Sequence, residues 1–260
     1  MQTIPFIKMH GLGNDYIYVD CFCPETAARI AKINLADLAR RVSDRHFGIG
    51  SDGLVLILPS KTADAKMRIF NADGSEAEMC GNAIRCVAKY LYENSICQSE
   101  HMEIETLAGI RLVTLQVLSG KIIQATVNMG KPLIQPASIH TGIAPIGYTA
   151  VNMGNPHAVF FCDTVPQLPA NTNVEFVHVR NTKEIDVRVI ERGSGETLAC
   201  GTGACASVVA AVYHGLTERT VTVHLAGGDL QIRWKTDLSP VFMTGPATEV
   251  FRGEYRYNNE

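Results

Sequence analysis

Two cysteines in this chain stand in the same short context. Residues 74–81 read GSEAEMCG and residues 193–201 read GSGETLACG, so E-x-x-x-C-G occurs twice, as Glu76, Cys80, Gly81 and as Glu196, Cys200, Gly201, offset by 120 residues. After each Cys-Gly the apolar residues recur at helical spacing: Ile84, Val87, Ala88, Leu91 in the first copy and Cys205, Val208, Val209, Val212 in the second. This predicts helices over 82–93 and 202–214 with a cysteine at the start of each. A helix start carries unpaired N–H groups and partial positive charge. A thiol placed there is expected to fall from its ordinary pKa of ~8.5 toward neutrality, so that thiol and thiolate coexist near pH 7. The following glycine lets a ligand approach the backbone, and the N–H groups form a cradle for a carboxylate. One thiolate that removes a proton and an opposing thiol that returns one make a two-base racemase or epimerase. The α-carbon of an amino acid is a weak acid, so the same N–H groups must also stabilise the enolate-like carboxylate.

Those cysteines need a scaffold. Short β-branched and aromatic runs at 4–9, 16–20, 54–58, 67–70, 102–106, 110–118, 122–128, 149–153, 157–161, 174–179, 185–190, 220–225 and 229–234 read as strands. Segments 110–118 and 185–190 alternate apolar with polar residues, as half-exposed strands of an antiparallel or mixed sheet do. Further helices are expected over 25–32 and over 35–44, the latter capped by Asn34. The helix from Ala204 to Tyr213 is apolar nearly all round and must be enclosed by other structure. The repeat implies an α+β fold of two pseudo-symmetric lobes, each a mixed, largely antiparallel sheet rolled around a central helix. The join is expected near Leu118 to Lys121, giving a first lobe over 1–118 and a second over 119–244.

Composition narrows the function. The 260 residues hold 23 Lys+Arg against 26 Asp+Glu without a block of like charge, so the field that nucleic acid demands is missing. No apolar run approaches the ~18 residues of a membrane span, and the amino end lacks the pattern of a secretory signal; a cytoplasmic protein is expected. Eight cysteines suit neither the disulfide framework of a small secreted domain nor the paired C-x2-C groups of a zinc site. No metal is expected. Cys21, Cys23, Cys97 and Cys162 read as small buried hydrophobes, and Cys86 and Cys205 as helix core. Asn14 after GLG, Asn71 after MRIF, Asn155 and His157 in GNPH, Asn173 before VEFV, and Glu191-Arg192 after VRVI are polar residues at strand ends. Each asparagine can be a turn former. Arg192 can grip a carboxylate bidentately or form a surface ion pair.

The segments KMHGLGNDY (8–16), RHFGIGSDG (45–53), FNADGSEAEMCGNAIRCVAKY (70–90), GNPH (154–157), NVEF (173–176) and ERGSGETLACGTGAC (191–205) closely resemble the diaminopimelate epimerase family, in family order and over most of the chain. The resemblance implies an epimerase that interconverts LL- and meso-diaminopimelate for lysine and peptidoglycan synthesis, without pyridoxal phosphate or any other cofactor, and commonly as a homodimer. It implies Cys80 and Cys200 as the acid/base pair. The backbone at Gly81-Asn82 and Gly201-Thr202 would hold the reacting carboxylate. Asn14, Asn71, Asn155, Asn173 and Arg192 would bind substrate, with Glu191 beside them, while His157 and Glu191 tune the thiols. The stretch from Gly245 to the carboxyl end would return to the first lobe. Gly53, where some members carry a contacting glutamine, Ala83 and Thr202 depart from the family pattern. Proline racemase-like and phenazine-pathway isomerase-like enzymes resemble the same fold; the former would need an apolar ring pocket, and the latter lack the cysteine pair. A non-catalytic amino acid binding or redox-sensing protein is the rival outside enzymology.

Overall fold

The computed structural model describes residues 2–140, 145–165 and 171–258. The chain forms an α+β fold of two compact units, Met1–Val127 with Pro246–Glu260, and Asn128–Gly245. In the first unit, β1 (Gln2–Gly11) and β2 (Asn14–Asp20) form a hairpin, followed by α1 (Pro24–Ile30) and α2 (Leu35–Ser43). Then come β3 (Gly53–Leu58), β4 (Ala65–Asn71), the two-residue β5 (Glu76–Ala77), α3 (Gly81–Glu93), β6 (His101–Thr106), β7 (Gly109–Leu118) and β8 (Lys121–Asn128). The second unit holds β9 (Leu133–His140), β10 (Pro145–Asn152), β11 (Pro156–Phe160), β12 (Asn173–Asn181), β13 (Glu184–Glu191), β14 (Gly195–Thr197), α4 (Gly201–Tyr213), β15 (Thr220–Leu225), β16 (Gly228–Arg233) and β17 (Phe242–Gly245). Finally β18 (Thr248–Tyr257) runs antiparallel to β1, with Gln2 opposite Tyr257.

The repeat seen in two short motifs extends to the whole topology. The first unit's strands lie in the order β18-β1-β2-β3-β4-β6-β7-β8, and the second's in the order β9-β10-β11-β12-β13-β15-β16-β17. Parallel pairs fall at the same places, β2 with β3 and β4 with β6 in one unit, β11 with β12 and β13 with β15 in the other. All other neighbours in those orders are antiparallel. The sheet of each unit wraps its own long helix. α4 touches β10, β11, β12, β13, β15, β16 and β17, and its residues from Gly203 to Ala211 are all buried. This accounts for a helix without a polar face.

α3 packs against β1, β2, β6 and β7. The opposite face of this sheet is covered by α1 and α2 through Ile30, Leu38 and Val42. With both faces covered, β2 and β3 read as nearly unbroken apolar runs while β7 alternates. Asn34 caps α2 as expected, its Oδ1 accepting the Asp37 N–H at 3.2 Å.

Several expectations need correction. The join expected near Leu118 to Lys121 is the β7–β8 turn, with Ser119 and Gly120 at φ of 51° and 75°. The chain passes between units at Val127/Asn128, because β8 stays paired with β7. The short strands β5 and β14 and the strands β9, β17 and β18 have no counterpart among the expected runs. Cys23 and Cys162 are exposed rather than buried, while Cys21, Cys86 and Cys205 are core.

The glutamate shared by both motifs has a structural duty. Glu76 takes a bidentate ion pair from Arg68, and Glu196 pairs with Arg188, each joining a short strand to its neighbour on the outside of the sheet. Partly exposed pairs contribute about 0–1 kcal/mol, whereas Leu91 on α3 is fully buried. Glu76→Ala should therefore cost under about 1 kcal/mol, and Leu91→Ala about 2–5 kcal/mol. Urea midpoints of the two variants measure the difference; equal losses would refute this division.

Candidate active site

Each cysteine occupies the N-cap of the helix that its unit encloses. Cys80 caps α3 with φ −137° and ψ 121°, and Cys200 caps α4 with φ −112° and ψ 114°. The offset of 120 carries Gly53 onto Asn173, Val55 onto Glu175, Asn71 onto Glu191, Cys80 onto Cys200 and Asn82 onto Thr202. Tyr16 faces Gly53 across the parallel pair of the first unit as His157 faces Asn173 in the second, so Tyr16 and His157 are also equivalents. Asn14 opens β2 and Asn155 directly precedes β11, each after a glycine whose positive φ, 84° and 103°, is one that other residues rarely adopt.

In the first unit Asn14 is the hub. Its Oδ1 receives the Cys80 thiol at 3.4 Å and the Asn82 amide Nδ2 at 3.3 Å. Its own Nδ2 donates to the Asp52 carboxylate at 2.9 Å, and Asp52 is in turn held by Arg45. Arg85, fully buried, donates to Asn82 Oδ1 at 2.9 Å and to the Gly81 carbonyl at 3.1 Å. An arginine only donates and a carboxylate only accepts, so Arg85 and Asp52 leave each amide one orientation. Tyr16 is buried and interacts with Asn14 and Cys80; burial first, and the neighbouring sulfur second, hold its hydroxyl well above the usual phenol range. Asn71 binds Ser75 through its side chain at 3.0 Å. At Gly53 a Cβ would stand 2.0 Å from the Phe70 carbonyl oxygen, so this backbone admits no side chain.

In the second unit the Cys200 sulfur accepts the Gly203 N–H at 3.4 Å and lies 3.4 Å from the Thr202 hydroxyl. Asn155 donates Nδ2 to Thr202 Oγ1 at 3.4 Å, and its Oδ1 meets His157 Nε2 at 3.0 Å. His157 Nδ1 lies 2.7 Å from Glu175 Oε1, with both side chains fully buried. Asn173 accepts the Arg192 backbone N–H at 2.9 Å. The Arg192 side chain itself is exposed and in no ion pair among the described residues. Glu191 accepts from the Thr197 hydroxyl.

A helix start does not depress the Cys200 pKa. Burial first, then the charges of Glu191 and Glu175, push this thiol well above its ordinary value, and the Thr202 and Gly203 hydrogen bonds only partly offset them. The expectation of a low-pKa thiolate omitted desolvation, which outweighs a partial charge at a helix end when the sulfur is buried.

Tyr16, Asp52, Arg85 and Glu175 are contacts that the sequence reading missed. Glu175 had a signal: it is a carboxylate inside the apolar run VEFV, two residues after Asn173 and hence on the same face. Arg85 had a weaker one, a cation in a helix whose neighbours are apolar.

Comparisons with known proteins bear on the surroundings of the two cysteines. The family model described as diaminopimelate epimerase matches residues 6–134 and 163–250, which hold every residue described around them except Asn155 and His157. A protein of that name from Pelotomaculum thermopropionicum is 50% identical over 281 residues, covering 97% of this chain and 99% of its own. Another from Acetivibrio thermocellus is 49% identical with the same coverage. Among solved structures, a phenazine biosynthesis protein of the PhzF family from Bacillus anthracis superposes with a TM-score of 0.74 at 17% identity, over 99% of this chain and 100% of its own. A hydroxyproline epimerase from Agrobacterium vitis gives 0.69 at 15% identity, over 97% and 92%. These two establish kinship of fold alone. Identity near one half along the full length of the sequence relatives goes further, and with the family model spanning both cysteine motifs the chain belongs to the diaminopimelate epimerase family.

Proposed function

We propose that this protein interconverts LL- and meso-diaminopimelate by proton removal and return at one α-carbon, with Cys80 and Cys200 as the two bases. The observation that carries this reading is the equivalence of the two thiols: each is the N-cap of its unit's enclosed helix, in a chain of this family. A thiolate takes the α-proton, and the C–H electron pair moves into the adjacent carboxylate as an enolate-like dianion. N–H groups of the first helical turns at Gly81-Asn82 and Gly201-Thr202 stabilise that charge. The other thiol then protonates the opposite face and becomes the thiolate, so the two sulfurs exchange roles with each turnover. Asn14, Asn71, Asn155, Asn173, Glu191 and Arg192 bind substrate; the exposed Arg192 suits a carboxylate at the end that does not react. The buried His157 supports the second thiol. The chemistry assigned to these residues uses no cofactor.

The reading extends to a homodimer in the cytoplasm. β18 leaves the apolar side chains Val250 and Phe251 52% and 44% exposed, which suits a subunit contact. Sedimentation velocity at micromolar concentration should give twice the 28.3 kDa chain mass; a monomer would refute that part.

Solvent deuterium incorporation at the α-carbon tests the chemistry. The wild-type protein should label LL-diaminopimelate while converting it to the meso form, and should leave proline and lysine unlabelled. Cys80→Ala and Cys200→Ala should each lower epimerisation by about 10²-fold or more, the usual contribution of a general acid or base, with the fold retained. Near wild-type conversion by either variant would overturn the two-base assignment, and comparable turnover of proline would favour a proline racemase.

Glu191 tests the electrostatics. Its carboxylate repels a Cys200 thiolate, so Glu191→Gln should lower the Cys200 pKa and raise the thiolate fraction at any given pH. In a Cys80→Ala background the pH dependence of Cys200 alkylation by iodoacetamide should move to lower pH. A shift the other way would show that Glu191 supports the thiolate.

A further inference from the structure

The two half-sites share a scaffold yet differ at one buried place. Tyr16 and Val55 of the first unit are replaced at the equivalent positions of the second by His157 and Glu175, a hydrogen-bonded couple whose side chains have no exposure. Glu175 is packed tightly: a Cβ at position 203 would stand 2.6 Å from its Oε1, so a side chain there would displace the carboxyl group. Its other oxygen, Oε2, has no hydrogen-bond partner among the described residues. A buried carboxyl group with one satisfied oxygen is costly.

The direction of the hydrogen bonds suggests its use. In the first unit the line from the sulfur runs outward. Cys80 donates to Asn14 Oδ1, and Asn14 Nδ2 donates to Asp52, an acceptor that leaves the amide no alternative. In the second unit an imidazole stands between carboxylate and amide, and one imidazole inserted in the line reverses the sense of the amide. Asn155 turns Oδ1 toward His157 Nε2, and an amide oxygen only accepts, which excludes a carboxylate beside an imidazole protonated at Nδ1 alone and leaves two states of the pair: carboxylate with imidazolium, or carboxylic acid with neutral imidazole. In both, Nε2 carries hydrogen and donates to Asn155 Oδ1. Asn155 must then turn Nδ2 toward Thr202 Oγ1, which leaves the Thr202 hydroxyl hydrogen for the Cys200 sulfur. The same sulfur also accepts from Gly203 N–H.

We propose that Glu175 is a positioning residue which, through His157, Asn155 and Thr202, aims a chain of donors at Cys200 and so supports proton removal by its thiolate; the first unit has Tyr16 and Val55 at the equivalent positions, so this carboxylate–imidazole line serves Cys200. This rests on the epimerase reading of the two thiols. Burial keeps the Glu175 carboxyl above the ordinary range, consistent with a proton retained by the pair. The chain opposes the burial and the carboxylate charges that disfavour a Cys200 thiolate. It thereby brings a deeply placed base within reach of its task. Glutamine at position 175 keeps the shape but pairs equally with either neutral tautomer of the imidazole, so it no longer aims the chain.

Two measurements test this, one of them independent of catalysis. Nitrogen-15 spectra of histidine-labelled, substrate-free wild-type protein should show His157 protonated at Nε2; an unprotonated Nε2 at neutral pH would overturn the proposal without any variant or substrate. The second measurement separates the thiols by elimination from a diaminopimelate analogue with a β-halogen. One thiolate takes the α-proton and the halide leaves with the C–X electron pair, so one base suffices. Cys80→Ala identifies the stereoisomer on which Cys200 acts, and Cys200→Ala the one on which Cys80 acts. Glu175→Gln should slow the Cys200 isomer by about tenfold, the low end for a carboxylate acting through an imidazole, and change the Cys80 isomer less than twofold. Equal loss on both isomers, loss on neither, or faster reaction of the Cys200 isomer through relief of charge repulsion would each overturn the positioning role. If the wild-type protein processes neither diaminopimelate nor the analogue, the functional reading fails, and the Nε2 protonation state still judges the arrangement.

Discussion

A helix that is apolar on every side can be hidden from water only by surrounding it, and its first turn still carries N–H groups that the helix cannot satisfy. The rest of this protein follows from that conflict. The wrapping is done by a mixed sheet whose order is the same in both units, and the helix start is the polar point of an otherwise apolar interior. An ordinary N-cap such as serine or aspartate would satisfy those donors from its own side chain. Cysteine is a poor substitute; Cys80 makes no side-chain cap bond and Cys200 makes one long contact to Gly203. Weak capping leaves the first turn competent to hold a carboxylate and puts a sulfur beside it.

Duplication explains how one fold presents this arrangement twice, and divergence explains why the copies are unequal. The first unit carries a second layer, α1 and α2, on the far side of its sheet, with Ile30, Leu38 and Val42 filling the gap. It surrounds its cysteine with neutral amides and a phenol, fixed from outside by Asp52, Arg45 and Arg85. The second unit has a smaller cluster around Phe160 and Phe176 and places a buried acid and base next to its cysteine. The two cysteines share a helix-start position, and what surrounds them differs.

Much of this was written in the chain. The paired E-x-x-x-C-G, the spacing of Ile84, Val87, Ala88 and Leu91 against Cys205, Val208, Val209 and Val212, and the unbroken apolar run after Ala204 determine two enclosed helices with a cysteine at each start, since helical periodicity and capping are local properties. They also determine the pseudo-symmetry, and the strand-end asparagines mark the neighbourhood of the thiols. Only the tertiary structure decided what those residues do to one another. Glu76 and Glu196, shared by both motifs, are ion-pair partners of arginines on neighbouring strands, a relation fixed by sheet register. Glu175 is set against His157, eighteen residues away in sequence, by strand pairing. The pKa of Cys200 was read with the wrong sign from its helix position alone. Desolvation depends on everything that surrounds a group, and periodicity along the chain carries no record of it.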